Sequence, residues 1–472
     1  GYFPPLNGFD DRYEGVGIPY KYAQYKADKL EFVVGNFYEQ FGNGMILRAY
    51  EEKNLGYDNA FEGVKIKYNL YNGIYLKALV GRQRLYWQTS DGVVRGADAE
   101  ILLNETFSKF KESKTVVLLG GSFVSKYQED FDPLYKMPQN VAAYSGRINL
   151  TSGKININSE YAYKMNDPSA DNGNIYKPGN AFILNASYSQ KGLGILLGAK
   201  RVDNMSFRTD RNATLANLNI NYIPDITKAT TYMLATMYPY ATQLNGEAGL
   251  QAEINYKIPK NSLLGGENGL GVTINYSVIN SIDKKQINDT VPIGQSGTDG
   301  YKSDFFAIGD ELFFQDFSFE LNKKINKKLK GVLKYQNQTY NNDIIHGAGD
   351  WHGIIYANII IADFSYKLTA KNAIRLECQS LFTEQQFGNW MSGLIEFSIP
   401  KWFFTIIDQY NYGNPDENLQ VHYPNFSVGY TKGANRIQIG YGKQRQGVMC
   451  IGGVCRNVPA ANGLVLTVSS SF

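Results

Sequence analysis

Apolar and polar residues alternate one for one along most of this chain, and no other feature of the sequence narrows the fold so far. In Leu250-Gln251-Ala252-Glu253-Ile254-Asn255-Tyr256-Lys257 every even position is apolar and every odd position polar. Leu270, Val272, Ile274, Tyr276 and Val278 alternate with Gly271, Thr273, Asn275 and Ser277. Leu218, Ile220 and Tyr222 interleave with Asn217, Asn219 and Asn221, and residues 64–70, 155–164, 374–379 and 436–441 follow the same rule less strictly. Successive side chains of a strand point to opposite faces, so this period predicts strands with one dry face and one wet face. No stretch keeps helical spacing with caps at both ends.

A soluble sandwich or propeller would alternate too, so length and loop asymmetry decide between them. Soluble strands average roughly 5–6 residues, whereas many of these runs approach the ~9–11 that a tilted membrane strand needs. Short turns fall at 152–154, 190–192, 224–228, 322–328, 368–371, 400–401 and 432–434. Longer polar links lie between them at 165–179, 202–213, 281–304, 341–350, 413–420 and 447–461. Tight turns on one rim and long loops on the other are the pattern of outer-membrane barrels. The expectation is an all-β, transmembrane antiparallel β-barrel of about 22 strands (range about 18–24), with short periplasmic turns and long extracellular loops. The final run, Leu464 to Phe472, alternates as well and ends on an aromatic, as such barrels typically do. The chain opens on a loop-like stretch without a leader. Residues 1–30 are therefore expected to be the loop and strand segment of an incomplete N-terminus, and residues 31–472 the barrel.

In a barrel the wet face becomes a lumen. Lys65, Lys67, Glu160, Glu253, Arg375 and Glu377 are the lumen-lining candidates. Mixed-sign side chains of this size can line an aqueous channel or pair into a filled interior, and the sequence leaves both open. The dry face would meet lipid, with Tyr163, Tyr222 and Tyr256 near strand ends where interfacial girdles sit. Residues 37–44 break the alternation and carry Gly42 and Gly44. They read as a bulged strand, or else as a segment folded inward to narrow the lumen.

Composition removes several alternatives. Lys+Arg number 47 against 44 Asp+Glu, a net +3, which lacks the basic footprint of a nucleic-acid binder. Aromatics at 14% and charged residues at 19% exclude a disordered chain, and no apolar run reaches the ~18 residues of a membrane helix. Three cysteines cannot make a disulfide scaffold. Cys450 and Cys455 flank a Gly-Gly pair in the last long loop and suggest one structural disulfide; two free thiols or a zinc half-site are the alternatives. Cys378 shares the apolar parity of Ile374 and Leu376.

Candidate chemistry is sparse. His346 and His352 share a loop region with Asp343 and Asp350, at a spacing that fits no standard metal motif. Ser380 and Ser392 lie between His352 and His422, but nothing marks either as an activated nucleophile. Residues 166–174 have calcium-loving types without the EF-hand order. Residues 322–330 are basic and read as a solvated turn. No catalytic, metal or cofactor-binding residue is assigned, and no cofactor is expected.

Several segments resemble a family of outer-membrane proteins from Bacteroidota, known mainly as a domain of unknown function. They are Gly35-Asn36-Phe37-Tyr38-Glu39-Gln40-Phe41-Gly42-Asn43-Gly44, Leu47-Arg48-Ala49-Tyr50-Glu51-Glu52 and Leu55-Gly56-Tyr57-Asp58-Asn59-Ala60. Arg95-Gly96-Ala97-Asp98-Ala99-Glu100 and Cys450-Ile451-Gly452-Gly453-Val454-Cys455-Arg456 are similar too. The resemblance implies an outer-membrane location and transfers no catalytic residue. Asp289-Thr290-Val291 resembles the short Bacteroidota O-glycosylation acceptor, which makes Thr290 a candidate glycan site. Three functions follow as expectations. The first is a passive conduit for a solute or polymer. The second is a non-conducting accessory subunit of a larger outer-membrane assembly or secretion complex, and the third a hydrolase at the rim. Non-enzymatic roles are favoured, with outer-membrane lipid and envelope proteins as partners and no nucleic acid.

Overall fold

The computed structural model describes residues 14–52, 57–214, 216–347, 352–445 and 460–470, with the backbone of 447–451 and 454–458. Its architecture is one sheet of 21 strands, running from Tyr22–Lys26 to Ala461–Ser469, in which every strand pairs antiparallel with its neighbours in chain order. Two small hairpins stand outside it, Glu51–Glu52 with Tyr57–Asp58 and Gly447–Ile451 with Val454–Val458. The first and last strands of an odd-numbered meander point the same way, and among the described residues these two are not paired with each other. Most strands are long: Ile155–Lys164 has 10 residues, Leu270–Ile282 has 13 and Ile308–Lys324 has 17. No described helix is long and apolar enough to cross a membrane.

The expected asymmetry of connections is present. One rim carries mainly tight turns, such as those between Asn140–Ser152 and Ile155–Lys164 and between Asn435–Gln444 and its predecessor Asn425–Lys432. Gly73, Gly153, Gly192 and Gly433 occupy the positive-φ positions of four of these turns, where a side chain would be strained. The opposite rim carries the long links, including 165–178, 283–307 and 411–424.

The sheet is inverted relative to a soluble protein. Leu250, Ile254 and Tyr256 are 54%, 44% and 47% exposed, while on the partner face Lys126, Lys164 and Asn275 have no accessible surface at all. Ile274, Tyr335, Ile360, Leu376, Phe404 and Ile439 continue the exposed apolar face around the sheet. Cys378 joins it, as its parity predicts.

Two expectations need correction. Residues 217–222 do not form a sheet strand and 224–228 is not a rim turn; both belong to one long connection, residues 204–246, that folds into the concave side of the sheet. The alternation there is real but answers a different environment. Leu218 and Ile220 enter an apolar core, while Asn221 Nδ2 donates to the Met45 and Met205 carbonyls (3.2 and 2.9 Å). The second correction concerns residues 37–44. Of the two readings the inward segment holds and the bulged strand does not: Phe37 ends the strand Leu30–Phe37, and residues 38–60 turn inward, with Phe41, Met45, Ile46 and Leu47 wholly buried. Both segments enter from the long-loop rim and pair with each other through Arg48 N–Ile220 O (2.8 Å) and Tyr222 N–Gly44 O (2.9 Å).

Candidate functional site

Most charged side chains on the inner face have an opposite charge in reach, while Lys164 donates to the Ser206 carbonyl at 2.8 Å instead. Lys126 reaches Asp167 at 2.6 Å, Lys200 reaches Glu247 at 2.6 Å, and Arg147 holds Asp98 at 2.7 Å and Glu100 at 2.8 Å. A lone buried charge costs several kcal/mol, so a cation carried inward by strand alternation is stable only with a partner in reach. Five of the six lumen candidates have an ion-pair partner, and Glu160 has a backbone donor instead. Lys65 and Lys67 converge on Glu39 at 3.4 and 2.9 Å, and Glu253 meets Lys228 at 3.2 Å. Arg375 bridges Asp363, at 3.0 Å, and Glu377. Glu160 receives the backbone N–H of Asn43 at 2.7 Å. All six lie on the inner side, and four of them contact the inward segments directly.

Gly42 explains why the first inward segment carries its glycines. Its φ is +51°, and a Cβ there would sit 2.5 Å from Glu160 Oε2. The tight approach lets residue 43 lay its amide on that carboxylate while Asn43 Nδ2 reaches Asn158 Oδ1 at 3.1 Å. Behind it, Phe41, Met45, Leu47, Phe207 and Ile220 join inward residues of the sheet such as Val94 and Val124 in one apolar cluster. Residues 226–240 build a second cluster on the other half of the sheet, with Leu234, Tyr238 and Tyr240 against Phe314, Tyr340 and Ile359. Gln379 Oε1 accepts from Leu234 N at 2.9 Å, which ties this part to the wall.

Among the described residues a chamber of about 1110 Å³ lies between residues 216–244 and the inner face of the C-terminal strands. Tyr222, Tyr238, Tyr240, Phe314 and Tyr423 give it aromatic walls; Arg48, Arg208, Lys228, Lys443 and Arg445 supply five cations against the carboxylates of Asp225 and Asp316. Nothing in the sequence marks this chamber, because its lining comes from segments far apart in the chain. The departure from alternation at 37–44 and the apolar run Met45-Ile46-Leu47 were the legible signals of an inward fold.

The other candidates are placed apart from the chamber or are already engaged. His346 packs on Tyr340, its ring nitrogen 2.7 Å from the hydroxyl, and burial holds its pKa below the usual value. His352 pairs with Asp343 (3.0 Å), and His422 with Asp408 (2.6 Å) while stacked on Tyr410. Asp350 lies outside the described residues, and no cluster of metal-ligating side chains occurs among the described ones. Ser392 is buried on the inner face and Ser380 is half-buried, and neither bonds to a histidine. In the acidic loop, Asp167 is taken by Lys126 and Arg211, and Asp171 by Arg208. Thr290 is exposed, its hydroxyl bonded to Asn288 Oδ1 at 2.8 Å. The hairpin places Cys450 and Cys455 directly opposite each other, although their side chains and Phe472 lie outside the described residues.

Solved structures with long antiparallel strands are similar at low identity. A triple mutant of the Rhodopseudomonas blastica porin matches at 10% identity and TM-score 0.27, covering 75% of this chain and 99% of its own. OpdK of Pseudomonas aeruginosa, solved with vanillate, matches at 9% identity and TM-score 0.38, covering 84% and 97%. Scores this low supply no residue correspondence. No curated protein matches the chain. A family model does match, across residues 1–472, and the chain belongs to that family of unknown function, DUF6029.

Proposed function

We propose that this protein is an outer-membrane β-barrel acting as a restricted passive conduit for small solutes, its lumen narrowed by residues 38–60 and 204–246. The observation that carries the reading is the inverted sheet. Apolar side chains project outward on strand after strand, while charges are buried and paired inside. Leaving one large apolar side chain in water forgoes about 1.5–3 kcal/mol, and a soluble monomer rarely exposes a contiguous apolar patch beyond a few hundred Å². A hydrocarbon surround removes that cost, and a closed sheet is the β structure that tolerates such a surround. The two inward segments argue against passage of a folded polymer and favour solutes that fit the remaining chamber.

A planar-bilayer recording of the purified protein tests this. The intact chain is expected to conduct well below the nanosiemens scale of an open aqueous barrel. Replacing residues 206–243 by a short Gly-Ser linker should raise conductance to on the order of a nanosiemens. A bilayer that stays silent for both proteins, despite verified insertion, would sink the conduit. It would favour the second reading, a non-conducting subunit of an envelope assembly, which the extent of lumen packing by Phe41, Met45, Leu47 and Phe207 supports.

A further inference from the structure

We infer that the chamber is a binding site for small organic anions bearing a carboxylate, with Arg48 as the anion-holding fork and Lys443 as a second cation. The inference deepens the conduit reading by naming the class of solute, and it takes from that reading only that the chamber is reached from solution. Its basis is a contrast among the five cations that line the space. Arg208 is occupied by Asp171 at 2.6 Å and Lys228 by Glu253 at 3.2 Å. Arg445 lies over the Trp390 ring, 6.0 Å from its centre. For Arg48 and Lys443 no carboxylate among the described residues lies within ion-pair distance; Lys164 and Lys334 share that state on the inner face, but neither lines the chamber.

Arg48 is nonetheless held firmly. Its guanidinium carbon lies 4.2 Å from the Tyr50 ring centre and 4.1 Å from that of Tyr222, and the two rings meet at 63° with centres 6.4 Å apart. The guanidinium therefore sits in an aromatic notch, and its backbone is pinned by the N–H bond to Ile220. Cation–π contacts fix the position and plane of the group without neutralising it. Part of the guanidinium is engaged by the Tyr222 hydroxyl, and a planar guanidinium carries five N–H donors in a fork that a carboxylate matches best. Lys443 comes from the strand Asn435–Gln444, its ammonium 5.1 Å from the centre of the Tyr423 ring. Of the two carboxylates in the lining, Asp225 already accepts the Thr227 hydroxyl at 2.6 Å. A cation lining a cavity is stabilised by an anion that enters it, and Tyr238 and Tyr240 offer that anion's carbon skeleton an apolar wall.

Isothermal titration of the full chain in detergent with succinate, and with the uncharged analogue succinamide, tests the site. Succinate should bind and succinamide should bind at least tenfold more weakly. Arg48→Gln should weaken succinate at least tenfold, Lys443→Gln by a smaller factor, and Arg48→Lys should fall between Gln and the native residue. Unchanged circular dichroism and melting separate lost binding from lost folding, and Lys443→Gln, on a sheet strand, reports even where Arg48→Gln disturbs the inward segments. No heat from succinate, equal binding of succinamide, or unchanged affinity in both glutamine variants overturns the site. Succinate binding while both the intact chain and the linker variant are silent in bilayers refutes the conduit and leaves the site standing. Conductance without succinate binding does the reverse.

Discussion

The firmest mechanical prediction concerns Lys200 and Glu247, which close the two ends of the inward segment 204–246. Both side chains are fully buried, 2.6 Å apart, on adjacent strands that place Val202 opposite Glu247. Glu247 also accepts from the Tyr240 hydroxyl and from Gln243 N, and Lys200 donates to the Pro224 carbonyl (3.0 Å) and the Thr242 hydroxyl (2.9 Å). Four points of the segment therefore hang on one ion pair. Removing one member of a buried pair typically costs about 3–5 kcal/mol, because the other charge stays behind unpaired. At about 1.4 kcal/mol per tenfold, Glu247→Ala should raise the open population of the segment roughly 10²- to 4 × 10³-fold. The assay is hydrogen exchange by mass spectrometry. Peptides from 220–246 should lose protection by about that factor, while the strand Ile354–Lys367 stays as protected as before. The double variant Lys200→Met/Glu247→Leu, which removes both charges, should recover most of the protection. Unchanged exchange at 220–246 in Glu247→Ala, or an equal loss across the whole sheet, would refute the anchoring role.

Other outcomes follow from the same geometry. Gly42→Ala forces a side chain into a left-handed conformation and onto Glu160, so the thermal midpoint should fall by the equivalent of about 1–3 kcal/mol; a neutral effect would mean the inward turn is loosely held. Arg147→Met strands Asp98 and Glu100 on the inner face, and urea or heat unfolding should show a loss of about 3–5 kcal/mol. His346 has its pKa depressed by burial, so the folded state binds its proton less readily than the unfolded chain. Its contribution to stability is whole above the unfolded value of about 6.5 and declines as pH falls below it, and His346→Gln should flatten the melting temperature between pH 5 and 7.5. Cys378 should react in vesicles with a lipid-soluble maleimide and resist a membrane-impermeant one, whereas equal labelling would place its face in water. For the hairpin, alkylation of Cys450 and Cys455 only after reduction would establish the bridge that their opposed positions permit.

The period-two pattern was enough to read the strands. Leu250–Lys257 and Leu270–Val278 lie where alternation put them, with the expected faces out, because a strand's side-chain direction is a local property. Loop asymmetry was legible for the same reason, since turns announce themselves through Gly, Asn and Lys between periodic runs. Location of Lys65, Glu160 and Arg375 on the inner side follows from parity as well. What parity could not supply is what fills that side. Residues 217–222 carry a strand's alternation yet lie inside the sheet, because an extended segment between an apolar core and carbonyl groups needs the same order of residues as one between lipid and lumen. The pairing of Lys200 with Glu247, the seating of Asn43 on Glu160 and the notch around Arg48 join residues up to 174 positions apart, as Arg48 and Tyr222 are. Sequence fixes which way each side chain points; only the meeting of distant segments decides which charges find a partner and which face the chamber.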